Sequence, residues 1–336
     1  MSGTAAPRLW RASTTTTIEA DLFALWSDAG RAGPIARALM SNLVVYRPGV
    51  AAPDVIEPDV AVSALVDEVA RRHPSRVLLV WHAPTPGRCE THAGVGILVA
   101  GSGDARLGIE QIVVHSTGEN ASLPSIVRRL TLGDMPTTVW WNGDFSEVKS
   151  PRPLLGLCRQ LVYDSREWSS VEANIAAIGR IAGDLDLADL NWRRLDPLRR
   201  VMAQACGPDR PAAFRFERAL VRHRPGDAAL AWLAAGWMMS SVGWSPDHAP
   251  VTVEEAPAST ALAIEAGADR LELTATLDAS QARASFAGES AIWSATVPRE
   301  TQADAIVAEL RTLHADSALD AALRSLGVLF ASRERA

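Results

Sequence analysis

The run Arg76-Val77-Leu78-Leu79-Val80-Trp81 restricts this chain more than any other segment. Nearly every side chain in it is apolar, so as a strand it offers no face to water. Strands of that kind occur in parallel sheets covered by helices on both sides. Residues 42–46 form a second short apolar run with β-branched content, ended by Arg47-Pro48-Gly49. Between the two, Pro58 suits the first turn of a helix with a core face of Val62, Leu65, Val66 and Val69, stopped by His73-Pro74-Ser75. Strands over 94–100, 109–114, 135–141 and 159–163 follow, with a turn at Gly101-Ser102-Gly103-Asp104 and short helices over 122–130 and 151–157. Ahead of them, Thr16-Thr17-Ile18-Glu19 has capping-box spacing, and Ile18, Leu22, Leu25 and Trp26 recur at helical period. Residues 1–165 therefore read as an α/β domain with a mostly parallel sheet.

The remainder follows a different pattern. Residues 168–181 and 187–206 read as consecutive helices and 214–221 as a strand, after which Asp227 caps a very apolar helix running to 242. Short strands follow at 251–256, 261–266, 270–277, 281–286 and 291–297. In one of them Leu271, Leu273, Ala275 and Leu277 alternate with Glu272, Thr274 and Thr276, which marks one buried and one wet face. Helices over 301–313 and 317–330 close the chain. Residues 166–336 are thus expected to form a helical connector plus an α+β domain with an antiparallel sheet. A length of 336 residues agrees with about two domains.

Composition excludes several chemistries. Of 33 basic residues only Lys149 is a lysine, and no Gly-rich run precedes it, so a Walker loop is absent and Schiff-base chemistry has one poor candidate. The net charge of −6 gives no global field for nucleic acid. Three cysteines without paired spacing make no disulfide framework, as expected of a protein of the cytoplasm. The N-terminus has no secretory pattern, and the longest apolar stretch, 228–239, falls short of the roughly 20 residues that span a bilayer, so no membrane association is expected.

Few constellations carry chemistry. His82, Cys89 and His92 have the spacing of half a zinc ribbon but no assured fourth ligand, and proximity around a Pro-Gly loop explains them equally well. Gly94-x-Gly96 and Gly101-x-Gly103 lack the third glycine of a dinucleotide fingerprint. No nucleophile elbow and no His-Glu-x-x-His is present. The expectation is a chain that is not an enzyme and holds neither metal nor cofactor.

Two features survive. Trp140, Trp141, Asn142 and Asp144 end one parallel strand and Asp164 ends the next, where open α/β sheets bind ligands, so with His82 they outline a crevice whose alternative reading is a phosphosugar- or nucleotide-binding enzyme. The plainer reading makes Asn142-Gly143 a turn and Asp144 a helix cap. The second feature is charge. Nine arginines between 193 and 224 face Asp196, Asp209 and Glu217, a segment of +6 in a chain of −6. Arg193, Arg194, Arg199 and Arg200 lie on one expected helix, and at about 100° per residue Arg193 and Arg200 fall roughly 20° apart. They are candidates for docking an acidic partner, set against solvated helix faces paired with the chain's own carboxylates.

The order of several motifs resembles the glucose-6-phosphate dehydrogenase assembly protein family, OpcA. These are Leu43-Val44-Val45-Tyr46, His73-Pro74-Ser75-Arg76-Val77, Glu110-Gln111-Ile112, Leu123-Pro124-Ser125-Ile126-Val127-Arg128 and Met135-Pro136 ahead of Trp140-Trp141-x-Gly143-Asp144. Asp189-Leu190-Asn191-Trp192-x-Arg194-Leu195-x-Pro197 and Ala234-Ala235-Gly236-Trp237 extend it. Arg129 and Leu198 depart from the pattern, which has a proline and an aromatic there. The resemblance implies a non-catalytic partner that binds glucose-6-phosphate dehydrogenase and promotes its active oligomer in the oxidative pentose phosphate pathway. In photosynthetic bacteria the family is linked to redox control through cysteines, and the resemblance assigns that role to none of Cys89, Cys158 and Cys206.

Overall fold

The computed structural model describes residues 8–335 except 50–63, 86, 88–89, 103–104, 119–122, 147–151, 182, 184, 208–215, 246–249, 258–259 and 269–270. The chain divides into two compact units. One comprises Met1–Tyr163, Asp184–Asp186 and Thr301–His314; the other comprises Asp164–Gly183, Leu187–Glu300 and Ala315–Ala336.

In the first unit the described strands are β1 (Arg8–Ser13), β2 (Ala36–Arg37), β3 (Ser41–Pro48), β4 (Ser75–His82), β5 (Thr91–Ala100), β6 (Leu107–Ser116), β7 (Thr137–Trp141) and β8 (Gln160–Tyr163). Helices α1 (Ile18–Arg31), α2 (Ala64–Arg72), α3 (Leu123–Leu130) and α4 (Arg152–Leu155) accompany them. The sheet runs in the order β1-β5-β6-β4-β3-β7-β8, with β2 beside β6. Its centre, from β6 to β8, is parallel, while β5 pairs antiparallel with both β1 and β6. All eight residues of β4 are buried, as its unbroken apolar run requires. The first parallel strand, β3, lies between β4 and β7, so the order reverses at β3 and β7. Open sheets of this topology bind ligands at such a reversal.

Several expectations shift by a turn or less, and some fail. Thr17, not Thr16, precedes α1; its hydroxyl accepts from the Thr14 N–H at 3.2 Å and caps no helix N–H, and Glu19 pairs with Arg76 at 2.7 Å instead of closing the expected box. Strand β1 is an addition to the expected elements; Arg8 and Arg11 break the apolar pattern that would mark it in sequence. Val66 and Val69 are buried on α2 as expected, whereas Pro58 and Val62 lie outside the described residues. A capping box does form at Thr301 and Asp304, opening a helix, α8 (Gln302–Arg311), that packs on α2.

The second unit holds a six-stranded sheet, β11-β10-β12-β13-β14-β15. Its strands are β10 (Arg218–His223), β11 (Val251–Glu255), β12 (Leu262–Ala268), β13 (Leu271–Leu277), β14 (Gln281–Phe286) and β15 (Ile292–Thr296). The sheet is antiparallel as expected, except that β10 pairs parallel with β11. That parallel pair arises because a helix, α7 (Ala228–Val242), forms the crossover between its strands. The expected helix over 187–206 begins as a short strand, β9 (Asp186–Asp189), before α6 (Leu190–Ala205). The expected helix over 168–181 becomes a 3-10 turn at Ser165–Glu167 followed by α5 (Val171–Ile181). The expected strand over 214–221 starts at Arg218, with 214 and 215 outside the described residues. Asp227 precedes α7 without capping it, its carboxylate taken by Arg224 at 2.5 Å. The last helix is α9 (Ser317–Arg333), capped by Asp316. Gly236 of α7 lets it approach α9, for a Cβ there would stand 2.8 Å from the Ala322 carbonyl oxygen.

Candidate functional site

At the carboxyl ends of β3 and β7, where the parallel order reverses, buried aromatic rings pack against one another. The Tyr46 ring lies 4.5 Å from Trp141, Trp141 stacks on Phe145 at 4.8 Å, and Phe145 meets Tyr163 edge-on at 5.4 Å. His82, at the end of β4, hydrogen-bonds the Tyr46 hydroxyl through Nδ1 and the Gly118 carbonyl through Nε2, both at 2.9 Å. Burial pushes the Tyr46 phenol well above its ordinary range. Tyr46, His82, Trp141, Phe145 and Tyr163 are each no more than 2% exposed. Trp140 alternates to the opposite face of β7, as period two demands. Asn142 donates its backbone N–H to the Tyr46 carbonyl, and Gly143 takes φ +151° with a would-be Cβ 2.8 Å from Pro48. Asp144 is buried.

The expected crevice residues therefore do not act alike. His82 and Trp141 share Tyr46 as a packing partner in a closed aromatic stack. Asp164 belongs to the second unit and pairs there with Arg194. Cys89 lies outside the described residues, and His92 stacks on His115 at 6.2 Å. Among the described residues no cluster of potential ligands has metal-binding form.

The first unit's other motif residues form a charged network on the sheet. Arg76, 1% exposed, bonds Glu19 at 2.7 and 2.8 Å and reaches Glu110 at 3.1 Å. Glu110 also accepts from Trp26 Nε1 at 2.8 Å and pairs with Arg37 at 2.9 Å. A buried charge needs such partners, so Arg76 and Glu110 are explained by each other. The long-range Arg76–Glu110 contact had no signal in local sequence.

In the second unit, the run from Asp189 to Arg194 builds one polar cluster with Asp164 and Ser165. The Asp189 carboxylate accepts the backbone N–H of Asn191 at 2.8 Å and of Ser165 at 3.1 Å, which caps α6 and ties in the 3-10 turn. Burial, and then the nearby Asp164 charge, raise its pKa to about 7. Arg194 forks onto Asp164 at 2.6 and 2.7 Å. Leu190, Leu195 and Leu198 are buried, as the helical phase requires.

The other candidate arginines are also engaged. Arg193 grips Glu300 through two bonds of 2.8 Å. Arg199 lies over the Trp192 ring, 4.0 Å from its centroid, and 3.5 Å from Asp196, which Arg200 also contacts. Further along, Arg218 pairs with Glu272, Arg222 with Glu265 and Arg224 with Asp227. The described arginines of this segment are thus interlaced with the chain's own carboxylates; Arg200, with 63% of its side chain exposed, is the most open of the helical four.

Residues 66–180 match the family described as glucose-6-phosphate dehydrogenase subunit N-terminal domains, and residues 185–323 match the corresponding C-terminal domains. Among curated relatives, an OxPP cycle protein OpcA of Nostoc punctiforme is 28% identical over 54% of this chain and 41% of its own length. Its counterpart in Synechocystis sp. is 24% identical over 56% of this chain and 41% of the relative. The matches thus span well under half the length of these relatives. Among solved structures, the transcriptional regulator Gal80p of Kluyveromyces lactis superposes with a TM-score of 0.45 at 9% identity, covering 87% of this chain and 89% of that one. A super-repressor Gal80p of Saccharomyces cerevisiae gives 0.41 at 9% identity, over 89% and 97%. These likenesses are too distant to bear on function.

Proposed function

From a chain that belongs to the OpcA family of glucose-6-phosphate dehydrogenase subunits, we infer a non-catalytic partner that binds glucose-6-phosphate dehydrogenase in the cytoplasm and favours its active oligomer. The observation that carries this reading is the pair of adjoining family matches over 66–180 and 185–323. Two features support the non-catalytic part. Tyr46, Trp141 and Phe145, near the reversal point of the first sheet, are packed on one another, and the carboxylates of Asp164 and Asp189 serve as caps and an ion-pair partner. An accessory chain shifts the dehydrogenase only as far as it binds one state more tightly, typically by about 1–3 kcal/mol. In this reading Arg193, Arg194, Arg199 and Arg200 mark the docking face, with Arg193 and Arg200 making the direct contacts.

Co-purification with the cognate dehydrogenase, followed by its kinetics with and without this chain, tests the proposal. A complex at micromolar concentration with a lower KM or higher specific activity is expected. Absence of a complex together with unchanged kinetics overturns it.

A further inference from the structure

Strand edges expose a row of unpaired N–H and C=O groups, and folded proteins blunt them with charges, proline or a covering element. The edges of this protein differ sharply in that respect. Strand β1 carries Arg8 and Arg11. Strand β11, one border of the second sheet, carries Glu254 and Glu255 and follows Pro250. Strand β15, the opposite border, has no charge and no proline from Ala291 through Val297. It pairs only with β14, and among the described residues no strand lies against its outer side. Ile292, at its start, is 67% exposed.

The direction of its free backbone groups follows from the ladder. Val297 donates its N–H to the Ser280 carbonyl at 2.9 Å, so Val297, and by alternation Ala295 and Trp293, turn their backbone groups toward β14. Ile292, Ser294 and Thr296 therefore turn theirs outward. The side chains divide the same way. Trp293 and Ala295 stand opposite the buried Ala284 and Ala282, on the side where α6 packs, and the Trp293 ring meets Phe286 edge-on at 6.1 Å. Ile292, Ser294 and Thr296 lie on the open face and are exposed.

We propose that β15 is an interface with a second copy of this chain, paired antiparallel about a two-fold axis at Ser294. The strand is its own best complement in that register. Ile292 stands opposite Thr296 of the other copy, a pair of β-branched residues on the open face. Trp293 stands opposite Ala295, large against small, and Ser294 opposite itself. The outward groups of Ile292, Ser294 and Thr296 then satisfy one another completely. Beyond the strand, Glu289 precedes and Arg299 follows at equal sequence distance from Ser294, so an antiparallel pair brings opposite charges of the two copies to the same end. Continuity of the buried face permits only slips of two residues in pairing. Moving the axis to Trp293 opposes the two indoles, and moving it to Ala295 sets Ile292 against Pro298, which has no N–H to give. The proposal stands apart from dehydrogenase binding and is tested on this chain alone.

Sedimentation equilibrium of the wild-type chain should show a mass that rises with concentration toward twice 35.9 kDa. Ser294→Lys, which opposes two ammonium groups at the axis on an exposed position, should leave a monomer whose melting temperature matches that of the wild type at dilutions where the wild type is also monomeric. Ser294→Cys should cross-link into a covalent dimer under mild oxidation, because directly paired residues place their Cα atoms about 5.5 Å apart, within disulfide reach. Thr274→Cys, exposed on β13, and the wild-type chain should not cross-link in parallel. A wild-type chain that stays monomeric, or a dimer that survives Ser294→Lys and fails to cross-link through Ser294→Cys, overturns the proposal.

Discussion

Asp164 and Arg194 form a two-point ion pair, Oδ1 to Nη1 at 2.6 Å and Oδ2 to Nη2 at 2.7 Å, across 30 residues of chain. The pair joins the 3-10 turn to α6, and it leaves the Asp164 carboxylate only 5% exposed. Arg194→Ala would strand that carboxylate beside Asp189. The expected loss is about 2–3 kcal/mol, the range for hydrogen bonds to charged groups, with Arg194's partial exposure keeping it from the upper limit for buried pairs. Urea unfolding of Arg194→Ala, Asp164→Asn and the double variant checks this. The double variant should recover part of the loss, since neither charge is then left alone.

Asp189 makes the stability of the same cluster depend on pH. Its pKa of about 7 in the folded protein stands above the ordinary 3.8, chiefly through burial. The folded state therefore holds the proton more tightly than the unfolded state. The stabilisation is complete below about pH 4, diminishes as pH rises, and is gone above the folded value near 7. Asp189→Asn keeps an acceptor for the Asn191 and Ser165 N–H groups and removes the titration. Denaturant melts between pH 5 and 8 should give a flatter stability profile for the variant than for the wild type.

The division between what local sequence discloses and what it conceals follows from physics. Strands β3, β4 and β6 are legible because a covered parallel strand leaves an unbroken apolar run. The four residues of β9 are not, since Asp186-Leu187-Ala188-Asp189 has no β-branched or aromatic residue and runs into a helix of the same character. The helical phase that buries Leu190, Leu195 and Leu198 was readable from spacing. The partners of the arginines on that helix were not, for Glu300 and Asp164 are set by tertiary structure. For the same reason Trp141, at the end of β7, reads as part of a crevice rim in sequence, while in the fold its ring is packed between Tyr46 and Phe145.

Gly236 sets two effects against each other. Gly236→Ala raises helix propensity by about 1 kcal/mol. The added Cβ, however, meets the Ala322 carbonyl oxygen and Leu326 Cγ, both at 2.8 Å, and the first of these is backbone that cannot swing aside. Overpacking of this kind costs about 1–3 kcal/mol, so net destabilisation is expected. Thermal melts of Gly236→Ala should show a lower Tm, and in the background of Leu326→Ala, itself destabilising because Leu326 is fully buried, Gly236→Ala should cost less than it does alone.

Cys158 should be a poor thiol nucleophile. Burial pushes its pKa to about 12, and its Sγ points at the Leu155 carbonyl at 3.1 Å. The thiolate, the reactive form, is then scarce at neutral pH. Alkylation with iodoacetamide at pH 8 should be far slower at this position in the folded chain than in urea, as peptide mass spectrometry will show. Rapid modification of native Cys158 would reopen it as a redox site.

The docking proposal rests on Arg193 and Arg200 and is the most exposed to refutation. Arg200 has 63% of its side chain in solvent and Arg193 has 37%, the latter gripping Glu300. Surface ion pairs contribute about 0–1 kcal/mol, so an acidic partner can compete for either guanidinium at small cost. Arg193→Glu with Arg200→Glu should therefore lower Tm only slightly while weakening dehydrogenase binding, and the loss should shrink as salt screens the reversed charges. Isothermal titration at two ionic strengths measures both quantities. Arg193→Lys should bind nearly as well if charge alone matters, and less well if the planar fork is read by a carboxylate. Binding by the double variant equal to wild type, with the fold intact, would place the interface elsewhere and leave this stretch as a solvated helix face.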